Sequence, residues 1–261
     1  MPADLNPIDN AKFVAARRAV DFVENGMKLG LGTGSTAAWM VRSLAERVRD
    51  EGLRVTCVAT SRRTAELAVG LGLDVRTLDE VKWLDLTIDG ADEFDTHLNL
   101  IKGGGAALLQ EKIVATASDQ MIVIADAAKE VAQLGAFPLP VEVIPFGWRT
   151  TKALVEETLV SMDVIGREVT LRMTGDQPLR TDGQNHILDL HLNRIGNPRQ
   201  LSLVLNQIPG VVENGFFIDI CDTVVVGHPD GRVQVRDINS GRFDEDRVAL
   251  PPVENIFAGQ D

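Results

Sequence analysis

The 261-residue sequence predicts an α/β protein, in which a parallel sheet is covered by helices on both faces and a small ferredoxin-like α+β sandwich is inserted. Three observations predict this class. Up to about residue 136, short apolar runs typical of strands alternate with helical patterns. After that point the order of elements changes to β-α-β-β-α-β, the order of a ferredoxin-like sandwich. Two further strand-like runs then form a hairpin, which we expect to return to the first domain.

These patterns also place the domain boundaries. We expect residues 1–136, completed by residues 217–236, to form the parallel-sheet domain, and residues 137–216 to form the α+β domain. Residues 237–261 are polar, contain a Pro–Pro pair and are predicted to be a partly ordered tail. The length of the chain fits a main domain with a smaller companion.

The elements of the first domain follow from two kinds of pattern. Its strands are predicted from the β-rich runs MKLGLG, RVTCVAT, DVRTL, LDLTID and MIVIAD, and its helices near residues 10–24, 36–50, 62–72 and 105–118. MIVIAD is apolar until its last residue, as expected for a central strand that is buried on both faces. In the first helix apolar residues recur at helical spacing, and Gly26 is the predicted stop signal.

The second domain begins at the run AFPLPVEVIPF, which contains three prolines. It continues with a helix near 150–162, the strand runs REVTLRM and HILDLHL around a polar turn, a helix near 198–207 and the strand-like run VVENGFFIDI. The returning hairpin is predicted from DTVVVGH and RVQVRDI, which flank the turn residues PDG.

Composition argues against several classes of function. The formal net charge of −12 leaves no excess of Lys and Arg to offset phosphate repulsion, so nucleic acid is not expected as the main partner. A small anionic ligand is still compatible, because a pocket can be locally positive on an acidic protein. The N-terminal run MPADLNPIDNAKF lacks the apolar core of a signal peptide, and no apolar run approaches membrane-spanning length, so no membrane is expected either.

Cysteine and histidine usage points to a cytoplasmic protein without a metal. Cys57 and Cys221 lie far apart in the sequence and are predicted to be reduced core residues. The four histidines show no metal-ligand spacing, so no metal site is predicted.

The first candidate site is the glycine-rich turn GLGTGSTA, residues 30–37, which follows a strand and opens a helix. It differs from the dinucleotide fingerprint because Ser35 replaces the last glycine, and no acid ends the second strand, which argues against a nicotinamide cofactor. The hydroxyls of Ser35 and Thr36, with the free N–H groups of the new helix, suit a phosphate. The alternative, that one of these hydroxyls only caps the helix, fits the sequence equally well.

The second candidate is the acidic turn that ends the strand LDLTID, since ligands of open parallel sheets bind beyond the carboxyl ends of strands. Asp89 and Asp92 flank Gly90 and Ala91, small residues that allow a substrate to approach closely. A solvated acidic turn without a function is the alternative interpretation. We assign that interpretation to the two remaining acids, Glu93 and Asp95.

The third candidate is Lys102, which precedes Gly103, Gly104 and Gly105. Three glycines cost conformational entropy, so the loop is expected to need unusual dihedral angles or close approach to a ligand. Its amides can surround an anion or a developing oxyanion, and Lys102 adds a full positive charge. An ordinary loop at the entry to a helix is the alternative.

Glu111 is predicted to share one helix face with Leu108, Val114 and Ala115. A carboxylate on an apolar face is costly unless it is paired or functional, and partial desolvation raises its pKa toward the range of a general base. A salt bridge to a neighbouring lysine is the alternative.

Two lysines are candidate cations for an anionic substrate. Lys129 lies just past the strand MIVIAD, on the same side of the sheet as the other candidates, and Lys12 in the first helix is a weaker candidate. Lysines are usually solvated, which is the alternative for both. The joint occurrence of two loops, several carboxylates and these lysines is more specific than any one of them.

Taken in order, a set of motifs resembles the ribose-5-phosphate isomerases of the A type: GTGSTA (32–37), DGADE (89–93), IKGGGAAL (101–108), EK (111–112), IADAAK (124–129) and FPLPVEVIP (137–145). The resemblance covers about residues 10–236 and says nothing about the tail. It implies interconversion of ribose 5-phosphate and ribulose 5-phosphate in the pentose phosphate pathway, without a metal or an organic cofactor. It also implies a Rossmann-like domain with a ferredoxin-like domain, and a homo-oligomer, often a dimer.

The resemblance further implies roles for individual residues. The substrate loops of the family fall on Thr33, Gly34, Ser35 and Thr36, on Asp89, Gly90, Ala91 and Asp92, and on Lys102, Gly103, Gly104 and Gly105. Its proton-transferring glutamate falls on Glu111, its further substrate-binding lysine on Lys129, and an N-terminal lysine that can approach the phosphate on Lys12.

In the mechanism thus implied, Glu111 shuttles a proton through a cis-enediolate, and Lys102 with nearby amides stabilises the negative charge. Asp89 assists opening of the furanose ring, and Asp92 orients the sugar hydroxyls. The phosphate is held by Ser35, Thr36 and Lys129, which uses remote binding energy to position the reacting carbons.

Other functions stay open at the level of the sequence. A non-catalytic sugar-phosphate sensor is the main rival, although such proteins usually carry a DNA-binding module and only about ten residues precede the first helix here. A hexose-phosphate isomerase or deaminase is also compatible, because phosphate and carboxylate contacts do not set the length of the substrate.

Overall fold

The structure, a computed structural model, describes residues 6–250. The helices in that range are α1 (Pro7–Val20), α2 (Ser35–Glu51), α3 (Arg62–Gly70), α4 (Leu78–Val81), α5 (Leu108–Thr116), α6 (Trp148–Leu159) and α7 (Pro198–Leu205). The strands are β1 (Lys28–Leu31), β2 (Thr56–Ala59), β3 (Asp74–Val75), β4 (Leu86–Gly90), β5 (Glu93–Phe94), β6 (Leu100–Ile101), β7 (Met121–Asp126), β8 (Leu139–Val143), β9 (Glu168–Leu171), β10 (Met173–Thr174), β11 (Gln177–Pro178), β12 (His186–His191), β13 (Val211–Asn214), β14 (Phe216–Phe217), β15 (Thr223–Gly227), β16 (Arg232–Asp237) and β17 (Phe243–Arg247).

The largest sheet has the strand order β17-β16-β15-β7-β4-β1-β2-β3. The strands from β15 to β3 are parallel, whereas β16 and β17 are antiparallel additions at one edge. The chain runs outward from β1 through β2 to β3 and then returns to β4 on the other side of β1. This reversal opens a crevice beyond the carboxyl ends of β1 and β4, where open α/β sheets bind their ligands.

The core of this first domain lies between the sheet and the helices α1 and α2. Val14 of α1 and Leu44 of α2 pack in one cluster with Leu31 and Ile88 of the central strands. β7 is buried over its first five residues, which confirms the prediction of a central strand. Cys57 and Cys221 are both free and buried, as the sequence predicted.

The second domain has the element order β8-α6-β9-β12-α7-β13, with a four-stranded sheet in the order β13-β8-β12-β9. All neighbouring strands in it are antiparallel, so the predicted ferredoxin-like sandwich is confirmed. Leu139, Val141 and Val143 alternate along β8 and pack against the two helices. The opposite face of β8 carries Glu142, which lines a small cavity together with Ala106 and Ala107 of the first domain.

A small sheet in the order β14-β6-β5 joins the two domains and was not predicted. The run VVENGFFIDI divides at Gly215, so that β13 pairs with β8 and β14 pairs with β6. A side chain at Gly215 would place its Cβ 2.4 Å from the carbonyl oxygen of Lys102. The glycine therefore lets the chain run directly against the segment that carries a candidate site residue.

Several predicted boundaries differ from the structure. The first helix begins at Pro7, because Asn6 caps it by accepting the Asp9 N–H and proline fits the first helical position; it ends at Val20, before Gly26. Helix α5 begins at Leu108 rather than near residue 105, since Gly103 and Ala106 have positive φ values of 108° and 59°. The short helix α4, with a Thr77–Glu80 capping box, was not predicted.

The predicted hairpin of β15 and β16 is confirmed, and β15 adds to the main sheet beside β7. Part of the predicted tail is regular, because β17 pairs with β16. The rest of that tail from residue 251, and the first five residues of the chain, lie outside the described residues. We retain the division into 1–136 with 217–236, 137–216 and a tail as a proposal.

Candidate active site

Four loops surround a cleft at the reversal point of the sheet, with a cavity of about 160 Å³. They follow β1, β4 and β7 and precede α5. The lining residues are Lys12, Thr33, Gly34, Ser35, Thr36, Gly90, Ala91, Asp92, Lys102, Gly103, Gly105, Glu111 and Lys129. Every candidate residue from the sequence therefore lines the cleft except Asp89, which is completely buried beneath its wall, and Gly104, which is exposed outside it.

The loop after β1 presents the N-terminus of α2 to the cleft. Gly34 is the N-cap residue, with a φ of 121°, and no side chain caps the helix. The interpretation of Ser35 or Thr36 as a simple cap is therefore wrong, because both lie inside the first turn. The unpaired N–H groups and the helix dipole face the cleft, and no acidic residue in this turn opposes them. This arrangement suits an anion.

Buried hydroxyl groups hold this loop from behind, which the sequence analysis missed. The Thr33 hydroxyl lies 2.8 Å from the hydroxyls of Thr60 and Ser61 and 3.1 Å from that of Thr64. Thr60 and Thr64 in turn donate to the carbonyls of residues 31 and 32. The run ATSRRT carried the signal, since it is rich in hydroxyls and follows the strand next to β1.

Two lysines flank the same end of the cleft. Lys12 of α1 is half-buried and lies 3.5 Å from Asp9, a long ion pair. Lys129 ends the 3-10 turn that follows β7, and Asp126 caps this turn by accepting the Ala128 N–H. The structure thus brings both predicted cations to the loop after β1.

At the other end of the cleft, Lys102 lies between two buried carboxylates. Its ammonium group is 3.0 Å from Asp89 Oδ2 and 3.2 Å from Glu111 Oε2, and it donates to the Gly90 carbonyl at 2.6 Å. At most 4% of the surface of each of these three side chains is exposed. Only the Gly90 contact has the geometry of a hydrogen bond; the contacts with the two carboxylates are ion pairs, and Asp89 Oδ2 and Glu111 Oε2 accept no hydrogen bond from residues 6–250.

Asp89 connects this cluster to the loop after β1. Its Oδ1 accepts the Thr33 N–H at 3.0 Å and the Gly90 N–H at 2.7 Å. A side chain at Gly32 would place its Cβ 2.0 Å from the same oxygen, so only glycine fits there. Direct contact between Asp89 and a substrate stays a prediction, since its carboxylate is completely buried beneath the cleft wall.

Burial raises the pKa of the Glu111 carboxyl to about 8; the neighbouring Asp89 carboxylate adds to this shift, and the Lys102 ammonium opposes it. Burial likewise raises the pKa of Asp89. Burial alone would lower the pKa of Lys102, but its two carboxylate neighbours raise it above its ordinary value. The lysine therefore stays charged, and the carboxylate pair retains a proton to an unusually high pH.

Glu111 lies on the apolar face of α5 with Leu108, Val114 and Ala115, all buried, which confirms the predicted face. The alternative of a salt bridge is also realised, but its partner is Lys102, itself a candidate site residue. The arrangement combines a desolvated carboxylate whose pKa is close to neutral with a fixed cation. Such a group can accept and return a proton.

The acidic turn is more structured than predicted. Asp92 lines the cleft and accepts the Gly104 N–H at 2.7 Å. The prediction that Glu93 and Asp95 are solvated is wrong, since they are 3% and 8% exposed. The Glu93 carboxylate accepts the N–H groups of residues 135 and 137 at the domain junction, and Asp95 accepts those of residues 97 and 99 in its own turn. Both are explained by unpaired backbone donors, which the sequence does not reveal.

The second domain also reaches the glycine loop, through a residue that the sequence analysis missed. Arg172, between β9 and β10, donates from Nη1 to the carbonyls of Gly103 at 2.8 Å and Gly104 at 3.2 Å. Its Nε donates to Asp189 Oδ2 at 2.8 Å, and its Nη2 donates to the other carboxylate oxygen.

A larger cavity of about 540 Å³ lies between α3, α4 and α5. Its lining is mainly apolar, and its one carboxylate, Glu80, is engaged in the capping box with Thr77. It lacks the combination of a buried base, a fixed cation and a free helix N-terminus, so the smaller cleft is the candidate active site.

Residues 6–250 contain neither a metal site of protein ligands nor a membrane-spanning helix. No cluster of His, Cys, Asp and Glu there has the arrangement of a metal site. No helix in that range combines the length and apolar character needed to cross a membrane.

Comparison with known proteins shows which family the chain is similar to. The family described as "Ribose 5-phosphate isomerase A (phosphoriboisomerase A)" matches residues 56–231 of the chain. The ribose-5-phosphate isomerase A of Cereibacter sphaeroides (strain ATCC 17029 / ATH 2.4.9) is 76% identical over 258 residues, which cover 99% of this chain and 98% of that protein.

Solved structures show the same similarity. A D-ribose-5-phosphate isomerase in complex with phospho-erythronic acid is 40% identical, with a TM-score of 0.82, and the match covers 88% of this chain and 99% of that one. The ribose 5-phosphate isomerase from Plasmodium falciparum is 29% identical, with a TM-score of 0.81, and the match covers 92% of this chain and 99% of that one.

Proposed function

The chain belongs to the ribose 5-phosphate isomerase A family, and from this premise we propose that Glu111 is the base that moves a proton between C1 and C2 of the sugar phosphate. The enzyme interconverts D-ribose 5-phosphate and D-ribulose 5-phosphate, a step of the non-oxidative pentose phosphate pathway. The observation that carries the proposal is the position of Glu111, a cleft-lining carboxylate that is buried, 3.2 Å from the Lys102 ammonium, with a pKa raised to about 8.

The proposed reaction begins with the open-chain aldose. The Glu111 carboxylate removes the proton from C2, the electron pair of that bond forms the C1–C2 double bond, and negative charge moves to O1. The proton on O2 passes to O1, which moves the negative charge to O2. C1 then takes the proton from the Glu111 carboxyl as the C2–O2 bond becomes the ketose carbonyl, which leaves a hydroxyl on C1 and the Glu111 carboxylate restored. Because the proton acceptor and donor are one group, a pKa near the working pH serves both half-reactions.

Lys102 has two proposed effects on this step. Its charge is 3.0 Å from Asp89 and 3.2 Å from Glu111, so it allows two carboxylates to share a buried space. It also provides a fixed positive charge next to the cleft, where charge develops on the enediolate oxygens. We propose that Asp89 assists ring opening from behind the wall and that Asp92 orients the sugar hydroxyls.

The phosphate is proposed to lie at the N-terminus of α2, near Ser35 and Thr36, with Lys129 and Lys12 as counter-charges. The uncapped helix and the absence of an acid in its first turn support this placement. We propose that phospho-erythronic acid binds the same cleft, with its phosphate at this end and its carboxylate where the enediolate oxygens form. The remaining family positions that line the cleft would then contact the sugar through their backbone: Thr33, Gly34, Gly90, Ala91, Gly103 and Gly105.

The pH dependence of turnover follows from the raised pKa of Glu111. A base must be deprotonated, so kcat/KM is expected to rise with pH through an apparent pKa near the value of about 8 caused by burial and by Asp89. The substrate phosphate has its second pKa at about 6, so any change in kcat/KM caused by its ionisation is complete at a lower pH than the change caused by Glu111. Initial rates measured across this range check the prediction, and a profile that is flat above the phosphate transition would contradict it.

Replacement of Lys129 tests the phosphate site. Lys129→Ala should raise KM by about 10–100-fold with little change in kcat, since a hydrogen bond to a charged group contributes about 1.5–3 kcal/mol. Lys152→Ala, on the outer surface of α6, is the matched control and should leave both constants unchanged. An unaltered KM in Lys129→Ala would remove this residue from the site.

Substrate preference is tested with a metal-free coupled assay of ribose 5-phosphate, arabinose 5-phosphate and glucosamine 6-phosphate. Conversion of the first compound alone is expected. Turnover of the hexose derivative at a comparable kcat/KM would contradict the assignment to a pentose. A failure to convert any of them would instead favour a non-catalytic sensor.

We also propose that the enzyme acts as a homodimer in the cytoplasm. The exposed turn before α6 supports an interface, since 89% of Phe146 and 39% of Ile144 are exposed. The two free, buried cysteines fit a reducing compartment. Light scattering after gel filtration should give twice the chain mass, and a monomer at micromolar concentration would contradict the dimer. Cell fractionation checks the compartment.

A further inference from the structure

We propose that Arg172 of the ferredoxin-like domain is a positioning residue for the isomerisation: it fixes the Gly104–Gly105 peptide so that the Gly105 N–H points into the cleft as a donor to the enediolate. The inference deepens the proposed function and rests on it. It assigns to the second domain a part in the chemistry of the first.

The glycine loop is a tight turn held at two points. The Ala106 N–H donates to the Gly103 carbonyl at 3.0 Å, which closes a four-residue turn with Gly104 and Gly105 at its centre. Arg172 Nη1 donates to the same Gly103 carbonyl and to that of Gly104, the carbonyl of the central peptide.

The orientation of that central peptide is not the one that glycine favours. A type II turn needs a positive φ at its third residue and commonly has glycine there. In this turn the third residue is Gly105, yet neither Gly104 nor Gly105 has a positive φ. The turn therefore has the type I sense, and rotation of one peptide would convert it to type II. The bond from Arg172 to the Gly104 carbonyl opposes this rotation.

The direction of the carbonyl fixes the direction of the next N–H. In a planar trans peptide the C=O and N–H bonds point in opposite directions. While the Gly104 carbonyl points toward Arg172, the Gly105 N–H must point away from it, toward the side on which Gly105 lines the cleft. Among residues 6–250 no acceptor engages this N–H, whereas the Gly104 N–H is already bonded to Asp92.

A further donor to the enediolate is useful because the Lys102 ammonium is already engaged with other groups of the protein. Its ammonium forms ion pairs with the Asp89 and Glu111 carboxylates and donates to the Gly90 carbonyl, so its charge is already shared with groups of the protein before the enediolate forms. A backbone N–H that is aimed in advance at a developing oxyanion is an effective source of stabilisation in the transition state.

Asp189 holds the guanidinium in place. It binds Nε and Nη2 in a two-pronged ion pair, which leaves Nη1 facing the loop, and both side chains are about 15% exposed. The guanidinium makes four hydrogen bonds here, two to the carboxylate and two to the carbonyls, which exceeds the three N–H donors of a lysine.

The test compares Arg172→Ala with the wild-type enzyme in three measurements. We expect kcat to fall by about 10–100-fold with little change in KM. This loss is somewhat smaller than the effect of removing an oxyanion donor completely, because without Arg172 the Gly104–Gly105 peptide still adopts the productive orientation part of the time. The affinity for phospho-erythronic acid should fall by a similar factor, whereas the affinity for inorganic phosphate, measured by calorimetry, should not change. Asp189→Asn should shift the same quantities in the same direction.

The matched control is Arg62→Ala, because Arg62 also joins the domains, through a 2.9 Å ion pair with Asp182, without touching the glycine loop. It should keep the wild-type kcat and both affinities. A kcat in folded Arg172→Ala or Asp189→Asn equal to that of Arg62→Ala would overturn the inference. Equal losses of affinity for phosphate and phospho-erythronic acid would overturn it as well, since they indicate a general disturbance. If Glu111→Gln is inactive while the Arg172 variant is normal, only this inference fails; if Glu111→Gln is fully active, the proposed function fails.

Discussion

Glu111→Gln is expected to lower kcat by about 10²–10⁴-fold, the usual contribution of a positioned general base, and to leave the fold intact. The amide has the shape of the carboxylate but cannot accept the proton from C2. Lys102 keeps Asp89 as an ion-pair partner at 3.0 Å, so no buried charge is left without compensation. KM for ribose 5-phosphate should change little, because the phosphate contacts lie at the other end of the cleft.

A second buried glutamate provides the control. Glu142 is 1% exposed, and burial raises its pKa as it does that of Glu111, but it faces Thr181 and Asn185 outside the cleft. Glu142→Gln should therefore retain wild-type turnover. Near-normal kcat in Glu111→Gln, with the same melting temperature as the wild type, would contradict the assignment of the base.

Lys102→Met should reduce both turnover and stability. Removal of one partner from a buried ion pair typically costs about 3–5 kcal/mol, and here two carboxylates lose their cation. The same change removes the fixed positive charge beside the enediolate, so kcat should fall by at least about 10²-fold. Urea unfolding measures the first effect, and initial rates measure the second.

The stability loss should depend on pH in a defined direction. Burial raises the pKa of Glu111 and of Asp89 above their ordinary values, so the folded state binds more protons than the unfolded state between the two values, and stability falls as pH rises. Without Lys102 both pKa values should rise further. The destabilisation should thus be larger at about pH 9 than at about pH 6.

The double variant Lys102→Met/Glu111→Gln separates charge from packing, because it removes one of the two uncompensated carboxylates. It should recover part of the lost free energy of unfolding. No recovery, together with a pH-independent loss, would show that the lysine acts through packing alone.

Local patterns predicted most of the fold, because alternation and helical spacing report burial on one or two faces. The burial of β7 follows from its continuous apolar run, and the sandwich follows from the order of its strands and helices. The β14-β6-β5 sheet could not be predicted, because its strands are two residues long and pair across distant parts of the chain. The early start of α5 was also wrong, since positive φ at Ala106 is imposed by the turn and not by the residue type.

The sequence predicted those candidate-site residues that lie together at the end of one strand or within one loop. Glu111 is an example, since its position on an apolar face already marked it as unusual. Arg172 could not be found in this way, because it lies in the second domain and acts on backbone carbonyls. The burial of Glu93 was missed for the same reason: its partners are N–H groups more than 40 residues away. When a side chain binds a backbone N–H or C=O group, neither partner shows a residue pattern from which the contact could be predicted.

The most direct test of the central claim is a crystal structure of the Glu111→Gln variant with ribose 5-phosphate bound. We expect the side chain at position 111 to lie about 3–3.5 Å from both C1 and C2, the separation of reacting atoms in a productive complex, with the phosphate at the N-terminus of α2. A complex in which Asp92 or another ionisable group occupies that position, and the side chain at 111 is out of contact with both carbons, would contradict it.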